Sequence, residues 1–404
     1  MKKKGNYILL VFISIMMVVE LLRYLLNPLQ VDSYFVENAL INYSAGFVRR
    51  GISGELLVFL QEITGLHLYT LIKVVNIVLL TVIYMFLLRG FNRHNYSFFI
   101  LFFPFLLPFL LLDNIINFKD LFTTVLFICV MKSFFIKHNG VKFFFVNFFG
   151  IVAVLNHEMS FFLIFPVLLV ISYLKDRSIS KLFSTFYFLF PMIIVLILTL
   201  VYSGTLEQSI QIKSNIYDLL NISKNARKEP YIKYLADKTN FILPELFNSI
   251  IWNGFSRGVV HVFYFIQLVF LFVFIDKIRY DGERSINPTI SIGLFFIQFI
   301  SMLPIFFIAY DWHRFFNLIS LTTLILIVIL SDYSNKWFIV DSRVLNDVRE
   351  VVGKYVYTHR SFVLFIGFFG IIPHMKMGNS LEYQFTNLYL IMMNYLSKLM
   401  YVIL

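Results

Sequence analysis

The sequence predicts an all-α fold: a polytopic transmembrane helical bundle of about 11 spans, within roughly 10–12. Three observations predict it. First, the composition: 59% of the 404 residues are hydrophobic, 19% are aromatic, and 14% are charged, with a mean hydropathy of +0.80. A soluble domain carries about 25% charged residues, so this chain cannot cover a water-soluble globule with polar surface, and a cytosolic enzyme is excluded. Disorder is excluded as well, because disordered chains are poor in aromatics and rich in charge. Second, apolar stretches at or near the about 20 residues needed to cross a bilayer recur through most of the chain. Third, the cations sort with those stretches in the alternating way that membrane topology requires.

The elements run in order. The span 7–27 comes after Lys2, Lys3 and Lys4. No small-x-small cleavage site follows it, and its apolar run continues through Leu21–Leu26, so it reads as an uncleaved first span with a cytoplasmic N-terminus. The segment 28–66 is then a long first outer loop. Spans 67–88, 96–112, 121–136, 143–156, 159–174 and 182–202 succeed it with short connections. The segment 203–257 is a second long outer loop. Ile210, Ile212, Ile216, Leu219 and Leu220, followed by Tyr231, Tyr234 and Leu235, predict short amphipathic helices on the outer interface. Spans 259–276, 288–309 and 315–331 come after it. The inner loop 332–360 sets Val344, Leu345, Val348, Val351, Val352 and Tyr355 against Arg343, Asp347, Arg349 and Lys354, the pattern of an interfacial helix. The chain closes with 361–374 and a weaker stretch, 388–404. The whole of 1–404 reads as one integral membrane domain. The alternating ten-residue segments of a transmembrane barrel are absent.

With this topology the inner loops hold 18 cations, whereas the short outer segments hold five: Arg49, Arg50, Lys119, Arg314 and Lys376. The formal net charge of +11 is therefore a topology signal and gives no support to nucleic-acid binding. The chain has no Walker A loop, no Gly-rich dinucleotide loop and no HExxH, which argues against an ATP-driven pump and against a motif-defined metal site. The single cysteine, Cys129, excludes an intramolecular disulfide.

The outer minority of charges is where chemistry is expected. Charged groups inside or beside apolar helices are usually paired or functional. Four mixed clusters lie at outer span ends: Asp32 and Glu37 with Arg49 and Arg50; Lys119-Asp120 with Asp113 nearby; His157-Glu158; and Asp311-Trp312-His313-Arg314. Together they predict one composite site. The stretch Asn42–Glu55 stands out, with Arg49 and Arg50 against the positive-inside trend and Gly46, Gly51 and Gly54 permitting close backbone approach. Arginine forks suit phosphate, so this loop is a candidate phosphate or pyrophosphate site; the alternative is contact with anionic lipid or pairing with Asp32 and Glu37. Asp32 and Glu37 are candidates for a general base on a hydroxyl, for a divalent metal, or for loop salt bridges. Asp311 adds a further acid, Trp312 an aromatic platform, His313 a proton carrier and Arg314 a cation; alternatively Trp312 is an interfacial anchor beside an Asp–Arg pair. His157 and Glu158 sit in a hairpin with almost no loop, where they either support the site or pair to fix the hairpin. Lys119 and Asp120 read as a phosphate contact and its neighbour, or as a helix-start pair.

On these residues the chain resembles two groups: polytopic glycosyltransferases of the GT-C type, which have a long first outer loop with acids just after span one, and Wzy-type O-antigen and capsule polymerases, with similar size, span number and outer arginines. The acids here are not adjacent, and the second outer loop carries only Arg227 and Arg257 as arginines. The resemblance implies a multi-pass protein of the bacterial inner membrane that takes sugar from a polyprenyl-(pyro)phosphate donor at the periplasmic face. It makes Asp32 or Glu37 the acid of the first loop, and Arg49, Arg50 and Arg314 the donor-phosphate contacts. No nucleotide is needed, because the donor is already activated, and partners in a polysaccharide assembly complex are implied. A polysaccharide flippase and a non-catalytic scaffold of the same pathway are the competing readings.

Overall fold

A computed structural model describes residues 34–94, 118–220, 288–308 and 312–333, with scattered positions between 7 and 25. Every element of three or more residues among them is helical. In chain order they are α1 (Tyr34–Ala39), α2 (Ile52–Thr64), α3 (Leu68–Arg93), α4 (Phe118–Phe134), α5 (Asn139–Asn156), α6 (Met159–Asp176), α7 (Ile179–Phe188), α8 (Phe190–Val201), α9 (Leu206–Leu219), α10 (Pro288–Ile308) and α11 (Trp312–Tyr333). Three of them, α3, α5 and α6, are long and apolar enough to cross a membrane, and the bent pair α7–α8 makes a fourth if counted as one span. The predicted spans 96–112, 259–276, 361–374 and 388–404 and the amphipathic stripe in 332–360 lie outside the described residues.

The centre of the bundle is α4. It packs against α1, α3, α5, α6 and α11, and its buried positions run all the way round it, from Phe118 to Ser133. That explains why its sequence shows no amphipathic stripe: a helix enclosed on all sides needs none. Close approaches are made at small residues, as in membrane helix packing generally. A Cβ on Gly90 of α3 would run into Val328 of α11, and one on Gly150 of α5 would meet Met192 Sδ of α8. Near the N-terminus, Ile13 is buried while Tyr7, Val11, Ile15, Val18, Leu22 and Leu25 are exposed at spacings of three or four, an outward apolar stripe.

Two prolines shape the bundle. Pro166 lies inside α6 and has no N–H to offer the Phe162 carbonyl one turn back. Ser301 Oγ of α10 donates to that carbonyl at 2.6 Å, and the neighbouring Leu163 carbonyl accepts from Gln298 Nε2 at 3.4 Å. Gln298 also donates to Thr322 Oγ1 at 3.1 Å and accepts from Thr323 Oγ1 at 2.6 Å, so one amide joins α6, α10 and α11. The predicted span 182–202 is instead broken at Leu189, with a 53° bend between α7 and α8. Pro191, the second residue of α8, withholds the next helical donor. Ser172 and Thr185 share a 2.6 Å hydrogen bond that holds α7 to α6.

Contacts at both ends of α3 fix its direction. Lys132, near the end of α4, lies 5.1 Å from the centre of the Phe86 ring, near the end of α3. At the other end Lys119, the second residue of α4, donates to the Arg50 carbonyl at 2.7 Å; α1 packs on both helices, and the chain just after α1 touches α2, since a Cβ on Gly54 would run into the Ile41 carbonyl. The helices α3 and α4 therefore run parallel, both starting at the end of the bundle that carries Arg50.

Candidate functional site

The loop between α1 and α2, residues 40–51, holds Arg49 and Arg50 and is built by its glycines and by α9. Gly46 adopts φ +98°, a region open to glycine. Gly51 lies under the Tyr43 ring, where any Cβ would clash, and Phe47 stacks on Tyr43 with centroids 5.6 Å apart. Tyr43 N–H donates to Glu55 Oε2 at 3.0 Å. Burial first, and then the nearby Glu55 carboxylate, push the Tyr43 hydroxyl up to about 12. From the chain just after α8, α9 clamps the same loop. Thr205 and Gln208 form a capping box at its start, and Gln208 Nε2 donates to the Ala45 carbonyl at 3.0 Å. Asn215 Nδ2 donates to Ser44 Oγ at 2.9 Å, and Arg49 N–H donates to the Ser203 carbonyl at 3.4 Å.

Three sequence-distant elements then meet at Arg50. Its side chain forks onto Glu158: Nε donates to Oε2 at 2.8 Å and to Oε1 at 3.1 Å, and Nη2 donates to Oε1. Glu158 is the N-cap of α6 and is buried. Burial alone would raise its carboxyl pKa, but Arg50, His157 and Arg49 outweigh it and hold the carboxyl well below the usual carboxylate range. His157 Nδ1 lies 3.5 Å from Glu158 Oε2. From the start of α4, the fully buried Lys119 donates through Nζ to the Arg50 carbonyl at 2.7 Å. Asn156 Nδ2 in turn donates to the Lys119 carbonyl and to Thr123 Oγ1, both at 3.0 Å. Asp120, in the first turn of α4, is buried beside them. Arg50 itself sits at φ +64°, a left-handed conformation that costs a non-glycine residue about 1–2 kcal/mol and persists only where the surroundings impose it. The Lys119 bond and the Glu158 fork are those surroundings.

Of the predicted residues, the structure thus brings the buried Lys119, His157 and Glu158 and the partly buried Arg49 and Arg50 into one cluster. Glu37 is placed in a contact with α9: Tyr217 Oη donates to its Oε1 at 3.1 Å, and Lys213 Nζ lies 3.9 Å from the same oxygen. Lys213 also lies over the Tyr217 ring, 4.9 Å from its centre. Asp32 and Asp311 lie outside the described residues. Trp312, His313 and Arg314 form the first turn of α11. Among the described residues no group of three or more metal-ligating side chains is present.

Sequence reasoning missed Asn156, Thr123, Gln208 and Asn215. All are uncharged, and it is charge that marks the other members of the cluster. It also missed three buried polar atoms around this loop, Tyr43 Oη, Ser53 Oγ and Asn156 Oδ1, which have no hydrogen-bond partner among the described residues. Buried polar groups are normally satisfied by protein, ordered water or ligand, so the cluster retains hydrogen-bonding capacity beyond its internal pairs. Chemically it offers two guanidinium groups, a buried ammonium and an imidazole–carboxylate pair within a low-dielectric setting, an arrangement suited to an anion. No family model matches the chain, and no curated protein or solved structure matches it.

Proposed function

We propose that this protein is an integral inner-membrane glycosyltransferase or polymerase that takes sugar or oligosaccharide from a polyprenyl-(pyro)phosphate donor at the periplasmic face, in the synthesis of a surface polysaccharide such as O-antigen or capsule. One observation carries the reading: Arg49 and Arg50, Lys119 and the His157–Glu158 pair, from three separate parts of the sequence, meet in one largely buried cluster at one end of the bundle. The full topology of about 11 spans, with that end facing the periplasm, belongs to the same proposal. In the reaction, an acceptor hydroxyl oxygen attacks the anomeric carbon and the bond from that carbon to the donor phosphate oxygen breaks. The hydroxyl proton passes to a carboxylate, and the leaving phosphate takes up negative charge. Fixed guanidinium groups stabilise that charge strongly where water is partly excluded. Of the first-loop acids, Asp32 is the better base, because Glu37 is already held by Tyr217 and Lys213. His157 and Glu158 orient Arg50, Asp311 and His313 stand in reserve as proton carriers, and Trp312 and Arg314 complete the donor contacts.

The test is polymer formation in a producing strain carrying Arg49→Ala, Arg50→Lys or Asp32→Ala, with membrane levels of each variant measured alongside. Loss of polymer at normal protein level is expected for all three; normal polymer from all three overturns the reading. A second reading, a non-catalytic scaffold, is favoured by one fact: Arg50 and Glu158 already occupy each other. It expects polymer to fall only in proportion to protein level.

A further inference from the structure

The helix α2 begins two residues after Arg50 and carries two faces that its neighbours do not explain together. Ser53, Gly54 and Leu57 are buried. On the opposite side Leu56, Phe59 and Ile63, spaced three and four apart, are 39%, 55% and 65% exposed. Glu55 and Glu62, seven apart, share a third face and are exposed.

The path of α2 is set by its ends. Its N-terminus is fixed beside the Arg50–Glu158 pair. Its C-terminus is closed by Gly65 in the left-handed conformation, whose N–H donates to the Gln61 carbonyl. Three residues, 65–67, then lead into α3, which starts at the same end of the bundle. At a rise of about 1.5 Å per residue, thirteen residues reach about 20 Å. A helix of that length with both ends at one level crosses the end of the bundle and does not run along its axis.

We infer that α2 is an in-plane helix seated in the lipid leaflet at the Arg50 end, with Leu56, Phe59 and Ile63 taking lipid hydrocarbon. The occupant is lipid because the stripe continues into an exposed apolar face of a helix that has the length and composition of a membrane span. Through the exposed Leu66 it joins the outward face of α3, where Val74, Val78 and Val82 are exposed at helical spacing on a span long and apolar enough to cross a bilayer. The charge arrangement agrees: the Glu55–Glu62 face lies between the buried and apolar faces, as on helices that lie in the membrane interface with one side in hydrocarbon and another in water. This inference holds whichever substrate the cluster takes, since it uses none of the cluster's chemistry.

Cys129 is the only cysteine, so in a Cys129→Ala background nitroxide labels can be placed singly at Phe59, Ile63 and Glu62, in vesicles of phosphatidylethanolamine and phosphatidylglycerol. Relaxation by oxygen, which partitions into hydrocarbon, should exceed relaxation by a water-soluble nickel chelate at Phe59 and Ile63, with the order reversed at Glu62. Nickel-dominated relaxation at Phe59 and Ile63 overturns the inference, as does low access to both agents there, which marks a protein partner or a second copy. A Phe59→Trp variant with Cys129 intact gives an independent reading. Its emission in excess of the unaltered protein's should be quenched by brominated acyl chains; no added quenching overturns the inference.

Discussion

The two ends of the bundle carry the same chemistry in different settings. At one end Glu158 meets Arg50 and His157; at the other, Asp332 of α11 meets Arg93 and His94, whose Nη1 and Nε2 each lie 2.9 Å from Oδ1. Both are a carboxylate between an arginine and a histidine. The side chains of Glu158 and Arg50 are 6% and 24% exposed, against 26% and 71% for Asp332 and Arg93. Arg50 is further held by Lys119 at its carbonyl and has a left-handed backbone, whereas Arg93 ends an ordinary helix. Burial turns the same three groups from a loose clasp into a positioned cluster. A buried charge that loses its partner cannot be rescued by water, whereas an exposed one is simply rehydrated.

That contrast sets the largest predicted effect. Glu158→Ala leaves Arg50 uncompensated and should destabilise the protein by about 3–5 kcal/mol, the range for breaking a buried pair. Thermal unfolding in detergent measures it, and Arg50→Ala added to Glu158→Ala should recover part of the loss. A loss under about 1 kcal/mol for Glu158→Ala, the scale of an exposed pair, would make the two ends equivalent. Gly54→Ala should cost about 1–3 kcal/mol, the range for overpacking, because the new methyl meets the backbone carbonyl of Ile41 and not a movable side chain. Protein that unfolds at the wild-type temperature would show that α2 can shift freely against the loop. The acid response comes next. The Glu158 carboxyl is held well below its ordinary value in the folded protein. Its stabilisation is therefore fully present above the unfolded value of about 4.3 and is lost only as pH falls through the lower folded value. Relative to Glu158→Gln, the unaltered protein should keep its advantage at about pH 5 and lose it progressively below about pH 4. A difference that vanishes near neutrality would refute the assignment.

How far the sequence anticipates this depends on what kind of signal each feature leaves. Apolar length is a local property, and 67–88, 143–156 and 159–174 coincide with α3, α5 and α6 to within a few residues at most boundaries. The charged members of the cluster are legible because charges are rare in this chain and the outer placement predicted for Arg49 and Arg50 opposes the prevailing trend. Their pairing is not legible: nearness in sequence points Arg50 to Asp32 or Glu37, and it meets Glu158, 108 residues away. Such a contact depends on helix packing, to which spacing is blind. The break at Leu189 is hidden because an apolar run gives no sign of direction; Pro191 is the available cue. The Ser301 bond to the Phe162 carbonyl is equally hidden, since a serine on α10 acquires meaning only beside the proline of another helix.

The smallest effect belongs to the other end and tests the comparison from below. Arg93 is mostly exposed, so its attraction to Asp332 acts through water and is screened by ions at a Debye length of about 8 Å at physiological salt. Such pairs contribute about 0.2–1 kcal/mol. Arg93→Ala should therefore cost no more than about 1 kcal/mol, and the difference from the unaltered protein should shrink further in about 1 M salt, where the screening length falls to about 3 Å. The same salt should leave the cost of Glu158→Ala nearly unchanged, because ions do not reach a buried pair. If both mutations respond alike to salt, burial is not what separates the two ends. The left-handed backbone of Arg50 and its Lys119 anchor would then have to account for the difference, and Lys119→Met, which removes that hydrogen bond while keeping an apolar stem, would become the deciding variant.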